Sequence, residues 1–416
     1  MCEHHADADG TPAGVDRRAF LRTTGIAASF AAGVATASAP MLFTPAAAGR
    51  SRSHTYSGTF TGVGTPDWHY VPVDVPRGVR EVEVSYDYES TPTPIGPSAN
   101  VIDIGMFDPS GHELGNAAGF RGWSGGARRS FRISPGAATP GYLPGPITPG
   151  RWHVILGPVA IVPPGVDWTL TVTLHFGAPG PAFEPTPAPR SVPGTGRRWY
   201  RGDLHLHTVH SDGQRTPAEM ASAARKAGLD FFASTEHNTS SASLVWGRHA
   251  GDDLLVVNGE EVTTRDGHWL AVGLPAGAWV DWRYRATDDE LPRFLDQVRQ
   301  LGGLAIIAHP TVPIPSTGWT FGALAQADAV EVWNGPWTMD DEGTLERWQA
   351  MLVAGTFVPA VGSSDSHRPD QPVGLPQTVV LADTLGVGAV VKALRAGRAW
   401  LAESSAVHLG LTVSGP

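Results

Sequence analysis

The stretch GDLHLHTVHSDG, Gly202 to Gly213, places His205, His207, His210, Asp203 and Asp212 within one short run. In an extended chain residues two apart point the same way, so His205 and His207 can grip one ion. Further donors follow downstream: His237 in STEHN, Glu260 and Glu261 in VNGEEVTT, His268 in GHWLAVG, and His309 in AIIAHP. Asp365 and His367 in VGSSDSH repeat the spacing of two. Imidazole mixed with carboxylate suits zinc, manganese or iron, whereas magnesium prefers oxygen alone. Six histidines and three acids (Asp212, one of the Glu260/Glu261 pair, Asp365) exceed what one ion takes. Two or three divalent ions are expected, with a carboxylate such as Glu261 bridging neighbours. The single cysteine, Cys2, excludes a thiolate site and an internal disulfide.

Those donors need elements that bring them together. Strands are expected at Tyr200–Leu206, Asp230–Ser234, Leu254–Val257, Trp269–Val272, Leu304–Ala308, Ala329–Trp333 and Phe357–Val361. Helical stretches fall between several of them. TPAEMASAARKAGL is the clearest, with Thr216 and Glu219 as a capping box, Pro217 opening the helix and Gly228 closing it. TDDELPRFLDQVRQLGG, DEGTLERWQAMLVAG and TLGVGAVVKALRAGR repeat the pattern. Repeated βα units imply a parallel sheet with helices outside, and about seven strands favour a barrel. Nearly all the donors then lie at carboxyl ends of strands, the face where such barrels carry their sites. His69, His112, His153, His175, His249 and His408 lack this alignment and read as ordinary residues, as do His4 and His5.

From Tyr200 to about Glu403 the chain resembles the PHP (polymerase and histidinol phosphatase) metallohydrolases. The likeness is carried by DLHLHT with SDG, then EHN, GEE, GH, AHP and SDSH, in the family's order. The EHN form is similar to the branch named for carbaryl and carbofuran hydrolases (CehA/McbA). The resemblance implies a distorted seven-stranded β/α barrel and a trinuclear centre. One metal would take His205, His207, Glu261 and Asp365, the second Glu261, His268 and His309, and the third Asp212, His237 and His367. Glu261 is preferred to Glu260 because the family pattern is Gly-X-Glu. The expected chemistry is attack by a metal-bridging hydroxide whose pKa is lowered toward about 7. Candidate catalytic groups are His210 as general acid, Arg368 as an anion contact and Asn334 as a substrate contact. Glu331 is expected to support a ligand, and Glu236 is a candidate for orienting an imidazole. Trp319, Trp333 and Trp337 are candidate pocket walls.

The rest of the 416 residues divides readily. Residues 1–50 contain Asp16-Arg17-Arg18-Ala19-Phe20-Leu21-Arg22 followed by a mild Ala/Gly-rich run, a twin-arginine export signal. The protein is therefore expected outside the cytoplasm: extracellular, periplasmic or at the cell surface. No segment is long and apolar enough to insert stably in a membrane. Residues 51–178 hold short alternating runs such as REVEVSYDY and DWTLTVTLHF, expected to form an all-β sandwich of jelly-roll type. Its Trp68, Trp123, Trp152 and Trp168 are expected in the core, with a sugar platform as the alternative. Residues 179–198 form a Pro-rich linker, and 199–416 the barrel. A net charge of −10 speaks against a nucleic-acid surface. The expected function is an exported phosphoesterase acting on small phosphomono- or diesters. The alternatives are a carbamate or carboxylic ester hydrolase on the same site and a non-catalytic cell-surface binding protein. The sequence does not indicate an oligomeric state.

Overall fold

The computed structural model describes residues 50–62, 64–90, 100–314 and 316–410. The export signal expected before residue 50 lies outside the described residues. Among the described residues no helix is long and apolar enough to cross a membrane.

Eight strands build the first unit: β1 (Ser51–Phe60), β2 (His69–Val75), β3 (Val79–Tyr88), β4 (Val101–Phe107), β5 (Phe120–Gly125), β6 (Ser130–Ile133), β7 (Gly150–Ala160) and β8 (Val166–Phe176). They form two antiparallel sheets in the orders β1-β8-β3-β6 and β2-β7-β4-β5, the interleaving of a jelly roll. Val82, Val84 and Tyr86 of β3 face Ile104, Trp152 and Leu156 across the sandwich core. Strand β3 alternates buried with more exposed positions, as a half-solvated strand should. Strand β4 is buried at every position, because its sheet is covered on both faces. The outer cover is the second unit. Phe107, Phe120, Trp123 and Ile155 share one apolar cluster with Trp269, Trp279 and Trp282, and Phe120 stacks on Trp279 at 4.2 Å.

The second unit contains β9 (Arg198–Asp203), β10 (Phe231–Ser234), β11 (Leu255–Thr264), β12 (Gly267–Val272), β13 (Leu304–Ile307), β14 (Ala329–Asn334), β15 (Ala360–Ser363), β16 (Gln377–Ala382) and β17 (Ala399–Ala402). Four helices accompany them: α1 (Pro217–Lys226), α2 (Leu291–Gln300), α3 (Met339–Val353) and α4 (Val387–Arg395). Helix α1 begins with the expected capping box and proline. The expected seven-stranded β/α barrel is corrected here to a mixed, nine-stranded sheet ordered β15-β14-β13-β12-β11-β10-β9-β16-β17. Two causes are visible. Strands β11 and β12 form a tight antiparallel hairpin with no helix between them, and QTVVLA and AWLA add the antiparallel pair β16 and β17. The sheet still curls toward closure: Thr378 Oγ1 of β16 donates to the Gly362 carbonyl of β15 at 2.7 Å and accepts its N–H at 2.9 Å.

The Pro-rich linker is tied along this sheet. Val192 N donates to Leu385 O at 2.8 Å, and Thr186 N donates to Leu244 O at 2.7 Å.

Candidate metal centre

The DLHLHT run leaves β9 and carries His205 and His207 onto the rim of the sheet. Leu206 between them bridges to Ser366, which sets the run beside Asp365 and His367. Asp203, two residues before His205, is fully buried and ties the same two segments together. It accepts the Ser364 N–H at 3.0 Å, the Ser364 hydroxyl at 2.5 Å and the Gly374 N–H at 2.8 Å. Burial pushes its carboxyl up to about 6 in spite of these donors. The glycine of SDG is needed for close approach: a Cβ on Gly213 would meet the His207 carbonyl oxygen at 2.4 Å. His268 reaches the rim differently. Strand β12 runs antiparallel to its neighbours, so its amino end lies where the parallel strands end, and His268 pairs with Thr263.

All nine candidate ligands converge. His205 Nε2 lies 3.1 Å from Glu261 Oε2 and 3.3 Å from Asp365 Oδ1. His207 Nε2 lies 3.2 Å and 3.1 Å from the same two oxygens. These four atoms are buried yet make no hydrogen bond. They are aimed at a common point rather than at one another. A tetrahedron with metal–ligand bonds of about 2.0 Å has edges of about 3.3 Å, and each of these four histidine–carboxylate spacings falls close to that. Glu261 Oε1 lies 2.9 Å from His268 Nδ1 and 3.2 Å from His309 Nε2, so one carboxylate faces two clusters. Asp212 Oδ1, also without a hydrogen bond, lies 3.5 Å from His237 Nε2 and 3.4 Å from His367 Nε2. Side-chain exposure rises from 0% at His205 to 21% at His237, so the Asp212 cluster sits nearest the opening.

Surrounding groups fix the imidazoles. Glu331 faces His205 Nδ1 at 3.1 Å and accepts the His309 N–H at 3.0 Å. Asn334 Nδ2 donates to Glu331 at 3.0 Å and to Asp365 Oδ2 at 3.4 Å. His237 Nδ1 lies 2.6 Å from the Thr263 hydroxyl, and His367 Nδ1 lies 2.8 Å from the Asp365 carbonyl. His309 and Asp365 have φ of 28° and 47°, left-handed backbone that non-glycine residues adopt at a cost and that concentrates at functional sites.

Electrostatics agree with a cation-seeking cluster. Burial would raise the Glu261 carboxyl, but His237, His205 and His268 hold it well below the carboxylate range. Burial likewise opposes ionisation of Asp365 and Asp212, and their histidine neighbours override it in both. Burial would lower His237, yet Glu261 and Asp212 raise it to about 9. Binding a cation there displaces protons.

The other sequence candidates fall elsewhere. Glu236 is buried and reaches an imidazole only through Ser211, whose Oγ lies 3.4 Å from His207 Nδ1. It accepts from Thr208 N at 3.0 Å, Thr208 Oγ1 at 2.6 Å and Ser211 Oγ at 2.6 Å, bracing the loop that carries Asp212. His210 lies in the seam between the two units, with Nδ1 2.8 Å from Ser241 Oγ, and burial lowers it to about 4. At neutral pH that burial favours the uncharged ring. Arg368 pairs with Asp370 at 3.1 Å, half in solvent. Trp333 and Trp337 pack edge to face on each other, and Trp319 is buried in the shared apolar cluster.

A cavity of about 340 Å³ opens onto Asp212, His237 and His268. The sandwich supplies Trp68, Trp123, Val159, Asp103 and Arg128 to it, and the sheet unit adds Trp282 and Arg265. Sequence reasoning missed Asp203, Thr263, Arg128 and Arg265. Only Asp203 carried a signal, being in phase with His205 and His207.

No family model matches the chain. An uncharacterized protein of Methanocaldococcus jannaschii is 26% identical over 132 residues, covering 27% of this chain and 70% of that protein. Among solved structures, a two-domain protein of Bacteroides vulgatus containing a predicted PHP-like metal-dependent phosphoesterase is similar at 22% identity, with TM-score 0.40. That match covers 55% of this chain and 70% of the other. An amidohydrolase of Chromobacterium violaceum, with bound sulfate and no metal, is similar at 18% identity and TM-score 0.31, over 42% of this chain and 89% of the other.

Proposed function

We propose that the chain is an exported, PHP-type metal-dependent hydrolase of small phosphomono- or diesters. The observation that carries this is the set of buried, unpartnered donor atoms on His205, His207, Glu261 and Asp365, each histidine nitrogen lying 3.1–3.3 Å from both carboxylate oxygens. His205, His207, Glu261 and Asp365 would hold one ion. Glu261, His268 and His309 would hold a second, and Asp212, His237 and His367 a third. Zinc, manganese or iron held there would supply Lewis acidity and a water acidified toward neutral pH.

The protein's own residues do the rest. Glu331 holds the Nδ1 proton of His205 and so keeps Nε2 free as a donor. Asn334 steadies Glu331 and Asp365 together. The sandwich and the aromatic seam exclude bulk water from one side of the cluster. An anionic ester is favoured over a neutral carbamate by Arg128. Its guanidinium lines the cavity, is largely buried, donates only to the Val209 carbonyl, and has no ion pair among the described residues. Burial outweighs the longer-range attraction of Tyr142 and Glu236, so this guanidinium is favoured by an arriving anion.

The test is elemental analysis of the purified protein together with turnover of phenyl phosphate, bis(p-nitrophenyl) phosphate and an aryl carbamate. Two or three transition-metal ions per chain with phosphoester turnover are expected. Carbamate turnover alone would favour the carbaryl-hydrolase reading. Lack of metal and of turnover after supplying zinc, manganese and iron(II) would leave the binding-protein reading.

A further inference from the structure

The cavity between the two units is more than an entrance. Its walls are Trp68, Trp123 and Val159 from the sandwich and Val209 and Trp282 from the sheet unit. Trp68 stands edge-on to Trp123 at 6.0 Å and to Trp282 at 5.9 Å, and Trp123 lies 4.6 Å from Trp282. Arg265 lies 4.7 Å over the Trp68 ring and 3.6 Å from Asp103, so the charge at that end is neutralised from within. Gly157 of β7 leaves room for this arrangement. A Cβ there would sit 3.0 Å from Trp68, Trp123 and Arg265 alike, pressing the rings into the space. The result is a cavity with an aromatic and aliphatic side formed by Trp68, Trp123, Trp282 and Val159 and a polar end on Asp212, His237 and His268.

We infer that this slot is the subsite for the organic group of the ester, and that it selects a flat, uncharged aromatic group over an aliphatic polyol. The inference rests on the hydrolase reading above and names the substrate class for it: aryl phosphoesters. The phosphoryl end lies at the metal cluster beside Arg128, and the ring lies between Trp68 and Val159. The jelly roll is thus half of the specificity pocket. Aromatic contacts of this kind select by about tenfold per ring. An ordered pocket of a few hundred Å³ is the usual size for one small organic group.

The test uses the full, metal-loaded protein. Phenylphosphonate and methylphosphonate share the anionic head and are not hydrolysed, so their dissociation constants by calorimetry report the slot alone. Phenylphosphonate should bind about tenfold more tightly. Trp68→Ala should erase most of that preference by loss of a wall, and Val159→Phe should erase it by filling the slot. The ratio of kcat/KM for phenyl phosphate over glycerol 2-phosphate should fall in parallel, through KM. Equal binding of the two phosphonates, or a preference untouched in a folded variant of either kind, overturns the subsite. Absence of turnover of both esters, of bis(p-nitrophenyl) phosphate and of an aryl carbamate by the wild type overturns the hydrolase reading instead, and the phosphonate result tells the two failures apart.

Discussion

Two clusters in this molecule contain the same donor types and have opposite character. On the sandwich, Glu81, Glu83 and His175 come together across β3 and β8. On the sheet unit, His205 and His207 each lie 3.1–3.3 Å from both Glu261 and Asp365. In the first, Glu83 lies 2.9 Å from His175 and 2.7 Å from Arg132, and the side chains are 22–29% exposed. Every charge there is answered by another or by water. In the second, the donor atoms are buried, and burial without a partner is a state a fold does not hold cheaply. Residue type alone does not separate the two clusters. What separates them is whether the lone pairs are already satisfied.

The sharpest way to break this contrast is to remove one member from each cluster. His205→Ala or Asp365→Ala should strip bound metal and abolish turnover, a loss of several orders of magnitude. His175→Ala should change neither. Metal content by elemental analysis and initial rates on phenyl phosphate decide it. Retention of full metal and activity by His205→Ala would remove the basis for the ligand assignment.

A finer probe asks whether the supporting shell matters as much as the donors. Glu331→Gln keeps the shape but loses the charge that faces His205 Nδ1, the His309 N–H and Asn334. Metal affinity, read by competition with a chelator, should fall about 10- to 100-fold with the fold intact. The Glu81, Glu83 and His175 cluster touches no candidate ligand, so Glu83→Gln there should leave metal affinity unchanged.

The donors were legible in the sequence for a local reason. Spacing by two, as in His205/His207 and Asp365/His367, is written in consecutive letters, and strand ends are marked by short apolar runs such as AIIA before His309. The Glu331 role was legible for the same reason, as the side chain sits at a strand end. Asp203 showed only its phase with His205 and His207, and Thr263 nothing, because their contacts join segments far apart in the chain: Asp203 reaches Ser364 and Gly374. The regular barrel failed as an expectation where the hairpin at Arg265–Asp266 replaced a helix and where β17, three half-buried residues and the buried Ala402, carried no alternation to read. The docking of sandwich on sheet was least legible of all. Burial at all seven positions of β4 is its only trace in one strand, and a continuous apolar run looks the same whether its outer face meets a second unit or a core.

The smallest expected effect sharpens the comparison from the satisfied side. Glu83 is partly buried, which raises its carboxyl, but hydrogen bonds from His175 and Arg132 outweigh this and lower it below the ordinary 4.5. A carboxylate lowered on folding stabilises the folded state above its unfolded pKa, and the contribution fades as pH falls through the lowered folded value. Glu83→Gln should therefore cost at most about 1 kcal/mol at neutral pH, because the groups are open to solvent. The difference from wild type should shrink as pH drops below 4.5 and should also shrink in high salt. Thermal unfolding of both proteins from pH 7 to 3 measures it. A pH-independent difference of several kcal/mol, or a loss of bound metal, would mean that the sandwich cluster is no mere ion pair. Satisfied lone pairs would then not be what distinguishes it from the site on the rim.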